Sequence, residues 1–342
     1  MKKKIVFIIN PNSGVIKKAS VPTHIENYLD KEKFNYEIIE TQYAGHATEI
    51  ATKAVKNHAD IVIAVGGDGT VNEVGKALIG TKAAMGILPC GSGNGLARHL
   101  AIPINTRKSI EIINQCDIRA LDYGTINNIP FFCTCGMGFD AFISMKFAEA
   151  GKRGVITYVQ KVLEEGLKYQ PQTYEIEDET GVHKHKAFLV SVANASQYGN
   201  NAYIAPQASM SDGWLDVIIM EPFDALEAPQ VAIEMFNKTL DKNTKIKTFK
   251  AKKILIRRES EGLIHFDGDP INEKKDVEVA LIQKGINIII NPEESKLQRQ
   301  PNMIQNGFSE FFSNIDHIRR ELTKQTRKIQ ALNKVIRRKL NI

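Results

Sequence analysis

The sequence predicts an α/β domain built on a parallel sheet, then an antiparallel β-sandwich domain, then a basic helical tail. Three observations carry this. Continuous apolar runs alternate with helical spacing over the first 125 residues, the pattern of strands buried on both faces by crossover helices. Short strand-like runs with turn residues between them follow, as in a sandwich or barrel. Beyond residue 292 the composition turns basic. The domains are set accordingly at 1–125, 126–292 and 293–342.

In chain order, residues 4–9 form the first buried run, residues 21–29 have helical spacing and residues 36–40 read as a second strand. A helix at 48–57, a β-branched strand at 60–65, a helix at 70–78, a strand at 84–88 and a helix at 94–101 continue the alternation. Ligands bind beyond the carboxyl ends of the strands in such sheets. The glycine-rich turns at 10–14, 66–70 and 91–95 each follow a strand, so all three are expected along one sheet edge. A hairpin around Asn127-Asn128 comes next, then helical spacing over 140–168. Strand-like runs fall at 173–177, 187–193, 215–220, 252–257, 263–266, 277–281 and 286–290, with one helix near 225–240. In the tail, Ile315, Ile318, Leu322, Ile329, Leu332 and Val335 recur near helical spacing between Arg and Lys, which describes an amphipathic basic helix.

Composition narrows the function classes. Of 342 residues 43% are hydrophobic and 25% charged, ordinary for a globular protein of two domains. From Ser295 onward eleven Lys or Arg face three Asp or Glu, a charge of +8, which leaves −2 on the first 294 residues of a chain whose total is +6. A nearly neutral body argues against a nucleic-acid-binding core. No apolar run is long enough to span a bilayer. The basic start and the run at 5–9 imitate a signal peptide, but the run is too short and Asn10-Pro11 follows it, so a cytoplasmic protein is expected. Cys90, Cys116, Cys133 and Cys135 form no Cys-x-x-Cys pair and read as buried thiols.

Gly66-Gly67-Asp68-Gly69-Thr70 lies between a buried strand and a helix. Glycines let a backbone approach phosphate closely, and the following helix offers unpaired N–H groups and the positive end of its dipole. Asp68 is expected to meet a magnesium ion on those phosphates. No Walker A sequence and no Gly-x-Gly-x-x-Gly fingerprint occurs in the chain.

Asn10-Pro11-x-Ser13-Gly14, Gly66-Gly67-Asp68-Gly69-Thr70-x-Asn72-Glu73 and Pro89-x-Gly91-Ser92-Gly93-Asn94 together resemble the three signature loops of the diacylglycerol kinase and sphingosine kinase superfamily, over roughly residues 1–292. The resemblance implies a phosphofructokinase-like parallel α/β ATP-binding domain followed by a β-sandwich that receives a lipid. It implies transfer of the γ-phosphate of Mg-ATP to a lipid hydroxyl, of diacylglycerol or a sphingoid base, in lipid metabolism. By position, ATP contacts fall on Asn10, Pro11, Asn12, Ser13, Gly14, Thr41, Gly66, Gly67, Asp68, Gly69, Thr70, Val71, Asn72, Glu73 and Ser92. Bacterial members often carry Thr in place of Ser92 and Asn-Asp in place of Asn94-Gly95; the form here is closer to sphingosine and ceramide kinases, and the lipid is left open.

Two further matches lie in the second domain. Ser209 to Asp216, with Asp212-Gly213-Trp214-Leu215 at its centre, resembles the family's Asp-Gly-x-Leu segment, which implies a structural magnesium held by Asp212 and the carbonyls of Ser209 and Trp214; an Asp-Gly hairpin turn reads the same residues equally well. Asp267-Gly268-Asp269 resembles the family's Asp-Gly-Glu, which implies Asp269 as general base, one methylene shorter than the family's Glu, with Asp267 orienting water or metal. Arg98 could face phosphate from the helix after Ser92, while His99 and His265 read equally as bystanders. The tail implies either a helix that folds back on the body or self-associates as a coiled coil, or adsorption to anionic lipid and hence a peripheral position on the inner face of the membrane; a homodimer through the sandwich is compatible. An NAD kinase-like phosphotransferase and a non-catalytic nucleotide sensor at the membrane are the competing readings.

Overall fold

The structure is a computed structural model; it describes residues 2–12, 20–150, 166, 169–224 and 227–293. The predicted tail helix lies outside the described residues.

Four strands, β1 (Lys3–Ile9), β2 (Phe34–Glu40), β3 (Ile61–Gly66) and β4 (Ala84–Pro89), pair in parallel in the order β2-β1-β3-β4. Side chains alternate across the sheet. Val6, Ile8, Val62, Ala64 and Ile87 pack on α2 (His46–Lys56), α3 (Asp68–Leu78) and α4 (Gly95–His99). Ile5, Phe7, Ile9, Ile61, Ile63 and Val65 pack on α1 (Val21–Tyr28) and α5 (Thr106–Gln115). Both faces are buried, so these strands read as unbroken apolar runs rather than alternating ones. The helix α5 was not visible in the sequence reading; Asn105 accepts the Lys108 N–H at 3.1 Å and caps it.

Next come β5 (Ile118–Ile126), β6 (Ile129–Phe131), β7 (Thr134–Gly138), α6 (Phe139–Ala150), β8 (Gln172–Asp178), β9 (Gly181–Ala187), β10 (Leu189–Ala193) and β11 (Leu215–Met220). The chain continues through α7 (Ala228–Phe236), β12 (Ile246–Ala251), β13 (Lys253–Arg258), β14 (Gly262–Phe266), β15 (Asp269–Glu273) and β16 (Asp276–Ile289). The hairpin predicted at Asn127-Asn128 is present, with φ of 46° and 65° at its two turn residues, the left-handed pair that a two-residue hairpin turn requires. An antiparallel sheet of order β12-β11-β10-β7-β14-β15 packs on β5, β13, β8 and β16 over a core that includes Met137, Tyr174, Val192, Val217, Ile256 and Val277. The fold class read from the sequence therefore holds.

Strands β12 and β15 fall outside the runs read from the sequence, and the runs themselves are arranged differently in two places. The run at 187–193 is split at Phe188: β9 pairs with β8 in the large sheet, and β10 pairs with β7 and β11 in the other. The runs at 277–281 and 286–290 are one strand, β16, bulged between Ile282 and Ile286. Its first half pairs with β13, and its second half joins β4 in parallel at Asn287 and Ile288. One continuous strand thus couples the sandwich to the parallel sheet, and the bulge supplies the change of direction.

Candidate active site

The glycine turns at 66–70 and 91–95 and the described start of the turn at 10–14 meet at the carboxyl edge of the parallel sheet, as expected. Asn10 follows β1; its Nδ2 donates to Thr70 Oγ1 at 3.1 Å, and its Oδ1 accepts the Asn12 N–H at 3.0 Å, closing the turn at Pro11. Ser13 and Gly14 lie outside the described residues. Gly67 and Gly91 pack backbone against backbone: a Cβ on Gly91 would sit 2.4 Å from the Gly67 Cα. A Cβ on Gly66 would sit 2.4 Å from Thr70 Oγ1. Two glycines in contact leave room for nothing but backbone, and that is the geometry that exposes N–H groups to an anion. Gly69 opens α3 with free space around its Cα, and Ser92 stands half-buried in the facing loop.

Asp68 joins the two loops. Its Oδ2 accepts the Asn94 N–H at 2.9 Å and its Oδ1 accepts the Gly95 N–H at 2.6 Å. Burial raises the pKa of Asp68, while those amides and the Arg98 guanidinium act to lower it. Asp68 fastens the loop at 91–95 to the loop at 66–70 with one backbone N–H on each oxygen, which leaves each oxygen a further lone pair toward the magnesium expected there. Asn94 reinforces that loop from within, accepting from the Gly91 N–H at 2.9 Å at a φ of 54°. Arg98 faces this loop as well, donating from Nε to the Gly93 carbonyl at 3.0 Å.

On α3, Thr70, Val71 and Asn72 are buried, and Thr70, Asn72 and Glu73 each meet a different partner. Glu73 accepts the N–H groups of Gly45 and Ala47, both at 3.0 Å, and so holds the turn before α2. Thr41, at the start of that turn, is buried and donates its N–H to the Ile9 carbonyl at 2.8 Å. Asn72 donates to Asp267 Oδ2 at 2.8 Å across 195 residues of sequence.

Asp267 receives four donors. Besides Asn72, its Oδ2 accepts the Phe132 N–H at 2.8 Å, and its Oδ1 accepts those of Cys133 and Thr134 at 2.7 and 3.1 Å. Burial raises its pKa and these donors oppose the rise. A carboxylate so fully occupied has no lone pair left for water or metal, which corrects the catalytic role expected of Asp267; it is a joint between α3, the β6–β7 connection and the β14–β15 turn. Asp267 and Gly268 both have positive φ, 49° and 89°, as a two-residue hairpin demands. That turn presents Asp269, the first residue of β15, at the surface beside α3. The described residues give the Asp269 carboxylate no hydrogen bond. Desolvation by the surrounding protein raises its pKa; Lys76 and His265 oppose this and Glu73 adds to it.

Behind β14 lies a cluster that the sequence reading missed. His265 Nε2 is 2.9 Å from Asp140 Oδ2, with both side chains buried. Tyr198 donates to the same oxygen at 3.2 Å, and the Asn200 N–H meets the Gly93 carbonyl at 3.1 Å. A chain of contacts therefore runs from the third glycine loop through 198–200 to Asp140, His265 and β14, whose last residue, Phe266, precedes Asp267. His265 is part of the scaffold rather than a bystander. His99 is scaffold too: it accepts the Ser196 N–H at 3.1 Å, and burial pulls its pKa down to about 4. Asp140 had a legible signal, an acidic residue closing the apolar run Met137-Gly138-Phe139.

The magnesium expected at Ser209, Asp212 and Trp214 does not fit the residues present. Asp212 Oδ2 is 2.5 Å from Lys250 Nζ, and its Oδ1 accepts the Trp214 N–H at 3.1 Å. Ser209 meets Ser211 through its hydroxyl.

Residues 4–126 match the family model of the diacylglycerol kinase catalytic domain, and residues 134–288 match that of the YegS C-terminal NAD kinase beta sandwich-like domain. A diacylglycerol kinase of Bacillus subtilis is 30% identical over 240 residues, 67% of this chain and 78% of that protein. This chain belongs to the diacylglycerol kinase family. A diacylglycerol kinase of Staphylococcus saprophyticus is 26% identical over 274 residues, covering 79% of this chain and 90% of the relative. A crystal structure of a diacylglycerol kinase from Bacillus anthracis superposes on the fold with a TM-score of 0.67 at 22% identity, covering 85% of this chain and 97% of that one. The match of the lipid kinase family to the three-loop edge favours a lipid kinase over the NAD kinase alternative. No described helix is long and apolar enough to cross a membrane.

Proposed function

We propose that this chain transfers the γ-phosphate of Mg-ATP to a hydroxyl of a lipid, a diacylglycerol or a sphingoid base, with Asp269 as general base. The observation that carries the reading is the contrast at one turn: Asp267 is filled by four donors while Asp269, two residues on, is open and faces α3.

The N–H groups at the start of α3 and in the facing loop at 91–95 receive the phosphates. Magnesium enters with the nucleotide as part of the substrate, neutralising phosphate charge. The lipid hydroxyl attacks the γ-phosphorus, its proton passes to Asp269, the bond to the bridging oxygen breaks and ADP leaves. A raised pKa suits Asp269 to this task, because a base closer to neutral pH takes the proton more readily. Asp140 and His265 hold β14 behind the turn and keep Asp269 in place.

A lipid acceptor also gives the basic tail a role, adsorption to an anionic membrane surface from the cytoplasmic side. Neither nucleic acid nor a second protein is required, and a homodimer is compatible. The test is incubation with γ-labelled ATP and, in separate reactions, a mixed lipid extract and NAD. Label in the lipid phase, with the product identified by mass spectrometry, is expected; label in NAD alone would replace the proposal with the NAD kinase reading, and bound ATP without any labelled product would replace it with the sensor reading.

A further inference from the structure

Lys250 lies on β12 directly opposite Asp216 on β11. Its Nζ is 2.5 Å from Asp212 Oδ2 and 3.6 Å from Asp216 Oδ2. The side chain of Asp216 is only 12% exposed, and its Oδ2 has no hydrogen bond. A buried carboxylate oxygen without a donor needs a nearby positive charge, and Lys250 is the cation at hand. Lys252, two residues along the same chain, places its Nζ 4.8 Å from the centre of the Trp214 ring. The turn is closed from the other side by Asp122, whose two oxygens accept the N–H groups of Gly213 at 3.0 Å and Lys284 at 2.7 Å.

The turn at 209–216 therefore has its cation already. Magnesium demands near-octahedral oxygen ligands at about 2.0–2.1 Å and gives up its waters reluctantly. To reach Asp212 it would have to displace an ammonium bound at contact distance, with a second ammonium over the neighbouring ring. A tethered charge also has the advantage of effective concentration over an ion in solution.

We propose that the ammonium of Lys250 stands in this chain where the resemblance implies a structural magnesium, so that the Asp212–Asp216 turn is held without a divalent ion. This does not depend on the phosphoryl-transfer reading and concerns folding rather than turnover.

The experiment is thermal unfolding of the full chain without nucleotide, in EDTA and in millimolar magnesium chloride, for the unaltered protein, Lys250→Gln and Asp212→Asn. The unaltered protein is expected to unfold at the same temperature in both buffers. Lys250→Gln leaves two carboxylates facing each other, so its Tm should fall in EDTA by about 2 °C or more and recover when magnesium is added. A magnesium-dependent rise in the Tm of the unaltered protein that Asp212→Asn abolishes would overturn the proposal, and so would a Lys250→Gln variant whose Tm in EDTA is unchanged. Calorimetric titration of magnesium into the unaltered protein gives a second reading should Lys250→Gln fail to fold: no saturable heat is expected, and a saturable site lost in Asp212→Asn contradicts it.

Discussion

The glycine edge of the parallel sheet and the Asp267–Asp269 hairpin of the sandwich use the same residue type for opposite purposes. At the edge, Asp68 spends both oxygens on backbone N–H groups and fixes one loop against another. At the hairpin, Asp267 does likewise with four donors, and Asp269 is left open. The difference teaches that an aspartate in a signature motif is assigned by its donors. One that is filled positions the site, and one that is open can accept a proton or a ligand.

Ways to break this comparison follow from its terms. The largest effect is expected at Asp269. Asp269→Asn should lower kcat by roughly 10²–10⁴-fold, the usual worth of a positioned base, with the Tm unchanged; Asp269→Glu should keep activity, because the longer carboxylate still reaches the hydroxyl. Next is Asp267→Ala, which strands four buried donors. Chemical unfolding should show a loss of about 3 kcal/mol or more, with activity falling only as the folded fraction falls.

How far the sequence carried depends on the distance between partners. The strand-helix alternation, the glycine turns and the Asn127-Asn128 hairpin are local, and each was legible from adjacent residues. So was the identity of most loop residues. Their division of labour was not, because it rests on contacts such as Asn72 to Asp267, Asp68 to Gly95 and Asp212 to Lys250. Phe188 hid a strand break inside a continuous apolar run because both of the strands it separates are buried there. The Asp140–His265 pair was invisible as a pair for another reason: two residues 125 positions apart meet only after the sheet has formed.

A smaller effect sharpens the account of Asp269. Desolvation raises its pKa, Lys76 works against that rise, and a base acts only when deprotonated. Turnover should therefore decline on acidification at a higher pH than an unperturbed aspartate would give. Lys76→Met removes the opposing charge, so the acidic limb of the kcat profile should move to higher pH; a limb that moves lower would place Lys76 elsewhere.

The smallest effect concerns stability. His99 titrates near 6.5 in the unfolded chain and at about 4 when buried. Between those values the unfolded state binds the extra proton, so stability should decline as the pH falls from 6.5 toward 4. His99→Gln should flatten that decline, read as Tm against pH.

The central claim is that one open carboxylate does the chemistry while the filled ones hold the loops. Measuring kcat, ATP affinity and Tm side by side for Asp269→Ala and Asp68→Ala tests it most directly. Asp269→Ala should abolish transfer to lipid and leave ATP affinity and Tm nearly unchanged, whereas Asp68→Ala should weaken ATP binding and lower the Tm together. An Asp269→Ala protein that still phosphorylates its lipid at the unaltered rate would contradict the account.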